Sequence, residues 1–148
     1  HSWVPISRLT KTSRKPALAP AELLATISIP LLPFNLHLYE KLDLITHPAV
    51  SLLKFLVAAR IYRTTVTDFR MAIGGIEPLV ARNREIEAMV IGTKVPFPEK
   101  QLAQFKERFR NYIEGLPPSF LPDPYHKQSA IRLAERALEK ASSYRGTE

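Results

Sequence analysis

Between Pro48 and Arg63 the chain is apolar almost all round, with Ser51, Lys54 and Arg60 as the interruptions. A segment that is apolar on every side belongs at the centre of whatever the chain folds into. Read by its length, it predicts a central core helix. The β-branched run Thr64, Thr65, Val66, Thr67 weakens that helix without a turn signal to stop it. The helix is expected to cover 49–72, with Gly74 and Gly75 terminating it. It is too short, and too charged at its ends, to span a bilayer. No run of about 18 apolar residues occurs elsewhere, so no transmembrane helix is expected.

Proline and glycine punctuate the rest. Pro20 opens a short helix, where its missing N–H costs nothing. Pro30 and Pro33 force an extended stretch. Asn35 then caps a second short helix reaching Ile45, with Leu36, Tyr39, Leu42 and Ile45 at helical spacing. A helix over 76–91 follows, with Pro78 near its start and Gly92 past its end. Its apolar face is Leu79, Ile86, Met89 and Val90; Arg82, Asn83, Glu85 and Glu87 make the polar one. Residues 93–98 read as an extended connector.

The clearest helix covers 98–114. Leu102, Phe105, Phe109, Tyr112 and Ile113 share one face, and Gly115 closes it. Four prolines between Leu116 and Pro124 then force an extended strap, with Phe120 and Leu121 as apolar pegs. Asp123 caps the last helix and Pro124 opens it. Ala130, Ile131, Ala134, Ala137, Leu138 and Ala141 give it a small-residue face suited to close packing. Arg132 with Glu135, and Arg136 with Glu139, are surface pairs worth about 0.2–0.5 kcal/mol each.

These elements predict an all-α fold: an irregular bundle of about five or six helices around the central apolar one. A basic extended arm over 1–20 precedes a single helical domain over 21–148, and proline-rich connectors join the helices. Composition agrees with a globular chain, at 45% apolar and 24% charged residues.

Several chemistries are excluded. Without cysteine there is no disulfide, thiolate zinc site, iron–sulfur cluster or cysteine nucleophile. Gly74 and Gly75 lack the spacing of a phosphate-binding loop, and neither a nucleophile elbow nor an HExxH zinc motif occurs. The nearest approach to a metal site is the row His37, Glu40, Asp43 and His47. It would need a second carboxylate-bearing helix, and no ExxH partner appears elsewhere. The plainer reading is the polar face of a small helix, so no metal and no cofactor is expected.

Charge is unevenly placed. Of the net +7, residues 1–21 carry +4 as Arg8, Lys11, Arg14 and Lys15 without an acid, leaving +3 for the body. A body that grips nucleic acid needs a denser basic face. Lys100, Lys106, Arg108 and Arg110 flank Phe105, Phe109 and Tyr112, but those aromatics lie at core spacing rather than exposed for stacking. Residues 68–89 loosely resemble a helix–turn–helix with Arg82, Asn83 and Arg84 early in the second helix, and a plain helical hairpin explains them as well.

The expectation is therefore a non-catalytic interaction subunit of a large assembly, docked on other protein subunits. Pro117, Pro118, Phe120, Leu121, Pro122 and Tyr125 are its candidate interface. The acid-free, Ser- and Arg-rich arm and the start at His1 fit a border with a removed targeting segment. That favours a mitochondrial respiratory or ATP-synthase accessory subunit. The alternative is an organellar ribosomal or other RNA-binding protein, its arm residues Arg8, Lys11, Arg14 and Lys15 gripping RNA or anionic lipid. A metal-dependent enzyme ranks third.

Overall fold

The computed structural model describes residues 2–6, 18–43, 51–75, 80–118, 121 and 124–145. Among them lies a four-stranded antiparallel sheet in the order β1-β2-β3-β4. The strands are β1 (Leu36–Asp43), β2 (Ser51–Tyr62), β3 (Thr65–Gly74) and β4 (Val80–Ala81). Three helices follow: α1 (Arg84–Val90), α2 (Glu99–Glu114) and α3 (Pro124–Ser142). The fold is α+β, and the expected all-α bundle is wrong.

The central apolar helix is in fact a β-hairpin, β2 and β3. The residues of β2 alternate: Leu53, Phe55, Val57, Ala59 and Ile61 are buried, whereas Lys54, Leu56, Arg60 and Tyr62 are exposed. That is the period of a strand with one face in the core. Lys54 and Arg60 share a parity, and Thr64 to Thr67 add β-branched residues that favour a pleated surface. The turn carries no glycine signal. Arg63 takes the left-handed conformation, φ 55°, that glycine or asparagine usually fills. A bulge where Arg60 pairs with Asp68 and Ile61 with Val66 leaves Thr67 unpaired. Its hydroxyl donates to Arg60 O at 3.1 Å. The bulge brings both Val66 and Phe69 onto the core side despite their odd spacing.

The second short helix is replaced by β1, and 22–35 forms no helix either. Asn35 does not cap a helix. Its side-chain amide behaves as a further peptide unit of the ladder: Nδ2 donates to Ile61 O at 2.7 Å, and Ile61 N donates to Oδ1 at 2.9 Å. Asn35→Ala leaves both groups of buried Ile61 unpaired. It is expected to lower stability by about 1–3 kcal/mol, read as a shift in urea midpoint at unchanged slope.

The helix expected over 76–91 shortens to α1. Asn83 caps it, its side chain accepting from Glu85 N and Ile86 N. Val90 is buried as expected, but so is Glu87, which the helical pattern puts on the polar face. The reason lies in the sheet. β4 pairs only with Ile73 and Gly74, so the edge of β3 below it lacks a strand. The Glu87 carboxylate takes the place of one, accepting from Met71 N at 2.9 Å. Arg82 closes on the same carboxylate with three contacts of 2.8–3.0 Å. Farther along that edge, Val66 N donates to Thr93 O and Gly92 N to Val66 O. Gly92 sits at φ 85°, a conformation that strains any residue with a Cβ.

Helices α2 and α3 match the sequence reading closely. Pro98 precedes α2 and Gly115 caps its end. Phe105, Phe109 and Ile113 are buried, as are Ala130, Ile131, Ala134, Ala137, Leu138 and Ala141 of α3. Both helices cover one face of the sheet, where Phe69 meets Phe109 with ring centroids 6.1 Å apart. Glu135, Glu139 and Arg136 pair across elements rather than within α3: with Arg110, Lys106 and Glu40.

Candidate interaction surface

The metal row dissolves in the strand. Residues three apart on a helix are neighbours, but on a strand they point to opposite faces. His37 lies exposed on the side away from the helices, edge-on to Phe34 at 6.3 Å. Glu40 points to the helix side and pairs with Arg136 of α3 at 3.2 Å. His47 is outside the described residues. Among the described residues no group of three or more His, Asp or Glu could hold a metal ion.

The helix–turn–helix reading ends the same way, because residues 68–74 belong to β3. Lys106 and Arg110, from the basic patch on α2, pair with acids of α3 while the aromatic rings between them face the core.

Tyr112 is half-buried beside this core. Burial, and secondarily the charge of Glu87, raises its phenol above the usual value of 10.0. The folded chain therefore holds this proton more tightly than the unfolded chain does. The associated stability is complete below pH 10 and is lost as pH rises through the folded value. Tyr112→Phe is expected to reduce the stability lost between pH 9 and about 11. Equal losses in both proteins, by urea titration at the two pH values, would contradict this.

The arm residues Arg8, Lys11, Arg14 and Lys15 lie outside the described residues. Of the expected strap interface, Pro117 and Pro118 are exposed, and Phe120 and Pro122 are outside the described residues. Leu121 is 1% exposed and belongs to the core, whereas Tyr125 is 69% exposed. The strap is thus tied into the core at Leu121, and Tyr125, in the first turn of α3, points outward.

Two surfaces escaped the sequence reading. The first is the sheet face away from the helices. Cross-strand rows run His37, Ala58, Arg70; then Tyr39, Leu56, Ala72; then Lys41, Lys54, Gly74. Its centre is apolar, with Tyr39 and Leu56 exposed, and Lys54, Arg60 and Arg70 stand around it. Arg70 is fixed by Asp68 at 3.0 Å and lies 5.2 Å from the centre of the Phe34 ring. The parity of β2 is the signal that would have found this face.

The second is the stretch 22–35, extended and rich in exposed apolar side chains. Leu23 is 92%, Ile29 77% and Leu31 97% exposed. Pro30 and Pro33 account for the extension at its end, whereas the short helix expected from Pro20 is absent over 22–35.

Among the described residues, helices cover one face of an antiparallel sheet, and the other face and an apolar extended stretch stay exposed, which defines an α+β unit. No protein-family model matches the chain, and no curated protein matches it. Solved structures do. One is a chain of carbon monoxide dehydrogenase from Hydrogenophaga pseudoflava lacking the Mo-pyranopterin moiety of its molybdenum cofactor. It is 23% identical with TM-score 0.53, over 71% of this chain and 36% of that one. Another is a chain of the Cu,Mo-CO dehydrogenase in cyanide-inactivated form. It is 20% identical with TM-score 0.67, over 93% of this chain and 48% of that one. At these identities the likeness is one of fold. The chain spans less than half the length of either neighbour. These neighbours overturn the expected respiratory or ATP-synthase accessory subunit: the fold is one found in an oxidoreductase.

Proposed function

We propose that the chain is an α+β domain of a larger oxidoreductase of the carbon monoxide dehydrogenase kind. One observation carries the reading: 93% of the chain superposes on part of such an enzyme at TM-score 0.67. The open sheet face supports it. An apolar centre with a polar rim is the anatomy of a protein interface. In this reading the domain serves by packing against the parts that carry the chemistry.

The test is to purify the protein from its source cells, grown with molybdate, and measure molybdenum against chain. The reading expects molybdenum in fixed ratio to the chain. A homogeneous, folded preparation without molybdenum would overturn it. The sheet face has its own check. Leu56→Asp is expected to cost the isolated chain no more than about 1 kcal/mol, because the position is exposed on a strand. In the whole enzyme the same change should speed hydrogen exchange along β2; unchanged exchange would show that this face is not the contact.

A further inference from the structure

Residues 23–29 have the chemistry of a β-strand without a sheet. Thr26, Ile27, Ser28 and Ile29 alternate apolar and polar, and Thr and Ile are β-branched residues that favour pleated surfaces. The backbone from Glu22 to Asn35 is not helical. A turn precedes it, closed by Glu22 N donating to Ala19 O at 2.9 Å and by Ala19 N donating to Glu22 Oε2 at 2.8 Å. Pro30 ends it. Among the described residues, the backbone bond within 23–34 is Phe34 N to Leu32 O, so the peptide groups of 23–31 have no backbone partner among the described residues.

A solvated linker would be polar, yet 23–35 contains no charged residue and exposes Leu23, Ile27, Ile29 and Leu31. We infer that residues 23–29 add as a strand to the edge of a β-sheet in a separate domain, their apolar side chains filling a row of pockets beside it. The absence of charge argues against nucleic acid or lipid headgroups, which need cations to grip them. A second copy of this chain is a poorer occupant. The outer strand of its sheet, β1, is already held by α3, with Lys140 Nζ donating to His37 O at 3.2 Å and Arg136 on Glu40. That the sheet belongs to the same enzyme rests on the proposed function: the neighbour matched over 93% of this chain has about half its own length left for it.

Hydrogen exchange tests the inference. The peptide covering 22–32 is compared in the protein purified from source cells and in the isolated 148-residue chain. The expected result is free-chain exchange in the isolated chain and at least 100-fold slower exchange in the purified protein. Fast exchange in both overturns the inference. So does protection in the isolated chain that rises with its concentration, which would assign the strand to a second copy.

Ile27→Pro and Ser28→Pro remove adjacent amides that point to opposite edges of a strand. Loss of protection with either variant supports strand addition, and tolerance of both overturns it. Neither change should alter the melting of the isolated chain, since the arm lies outside its core. Molybdenum measured on the same preparation separates this inference from the enzyme reading. Protection without molybdenum leaves the strand standing, and molybdenum without protection leaves the enzyme standing.

Discussion

Arg82→Ala is expected to destabilise the chain by about 3 kcal/mol, more than loss of an exposed ion pair, worth about 1 kcal/mol at most, would suggest. The Glu87 carboxylate is 3% exposed and accepts from Arg82 and from Met71 N. Removing the guanidinium strands a buried negative charge with one N–H for company. The pairing is mutual: hydrogen bonding to Glu87 raises the Arg82 guanidinium, burial opposes this, and the charges of Glu87 and Asp68 add to it. Because the Arg82 side chain is 35% exposed, water can partly replace it, which places the effect at the low end of about 3–5 kcal/mol. Glu87→Gln keeps an acceptor for Met71 N and should cost less than Arg82→Ala. A Gln variant weaker than the Ala variant in urea would show that the charge is not the source of the effect.

Phe69→Ala is expected to cost about 3–5 kcal/mol, because the ring is lost and the surrounding structure relaxes only partly into the cavity. Phe69 is 1% exposed and joins β3 to α2 through Phe109. Phe69→Leu keeps most of the volume and should cost under about 1.5 kcal/mol. For a domain whose whole stability is about 5–15 kcal/mol, the alanine variant stands near the threshold of unfolding. An alanine variant that melts within a degree or two of the parent would mean that sheet and helix layer do not share one core.

The two helices that the sequence reading placed well have local causes. Pro98 and Gly115 bracket α2, and Phe105, Phe109 and Ile113 repeat at helical spacing. The alanines of α3 do the same. Helical hydrogen bonds close within four residues, so the residues that decide them lie beside one another.

The hairpin failed for the opposite reason. An apolar run can be a buried helix or a buried strand, and periodicity separates them only when the polar interruptions are dense. Lys54 and Arg60 share a parity, but Leu56 and Ala58 between them are apolar, and the turn at Arg63 lacks glycine. The bulge at Thr67 then shifts the pattern within β3. The exposed sheet face and the arm were hidden with it, since both are defined by what the helices do not cover.

The sequence by itself therefore determined α2, α3, the extension forced at Pro30 and Pro33, and the chemistries that a cysteine-free chain without a phosphate loop excludes. Tertiary structure decided that Ser51–Tyr62 is a strand, that Glu87 is buried, and that His37 and Glu40 face apart. A strand's hydrogen bonds come from residues remote in sequence. Its identity, and the side of the sheet on which each side chain falls, exist only once the partner strand and the covering helices are in place.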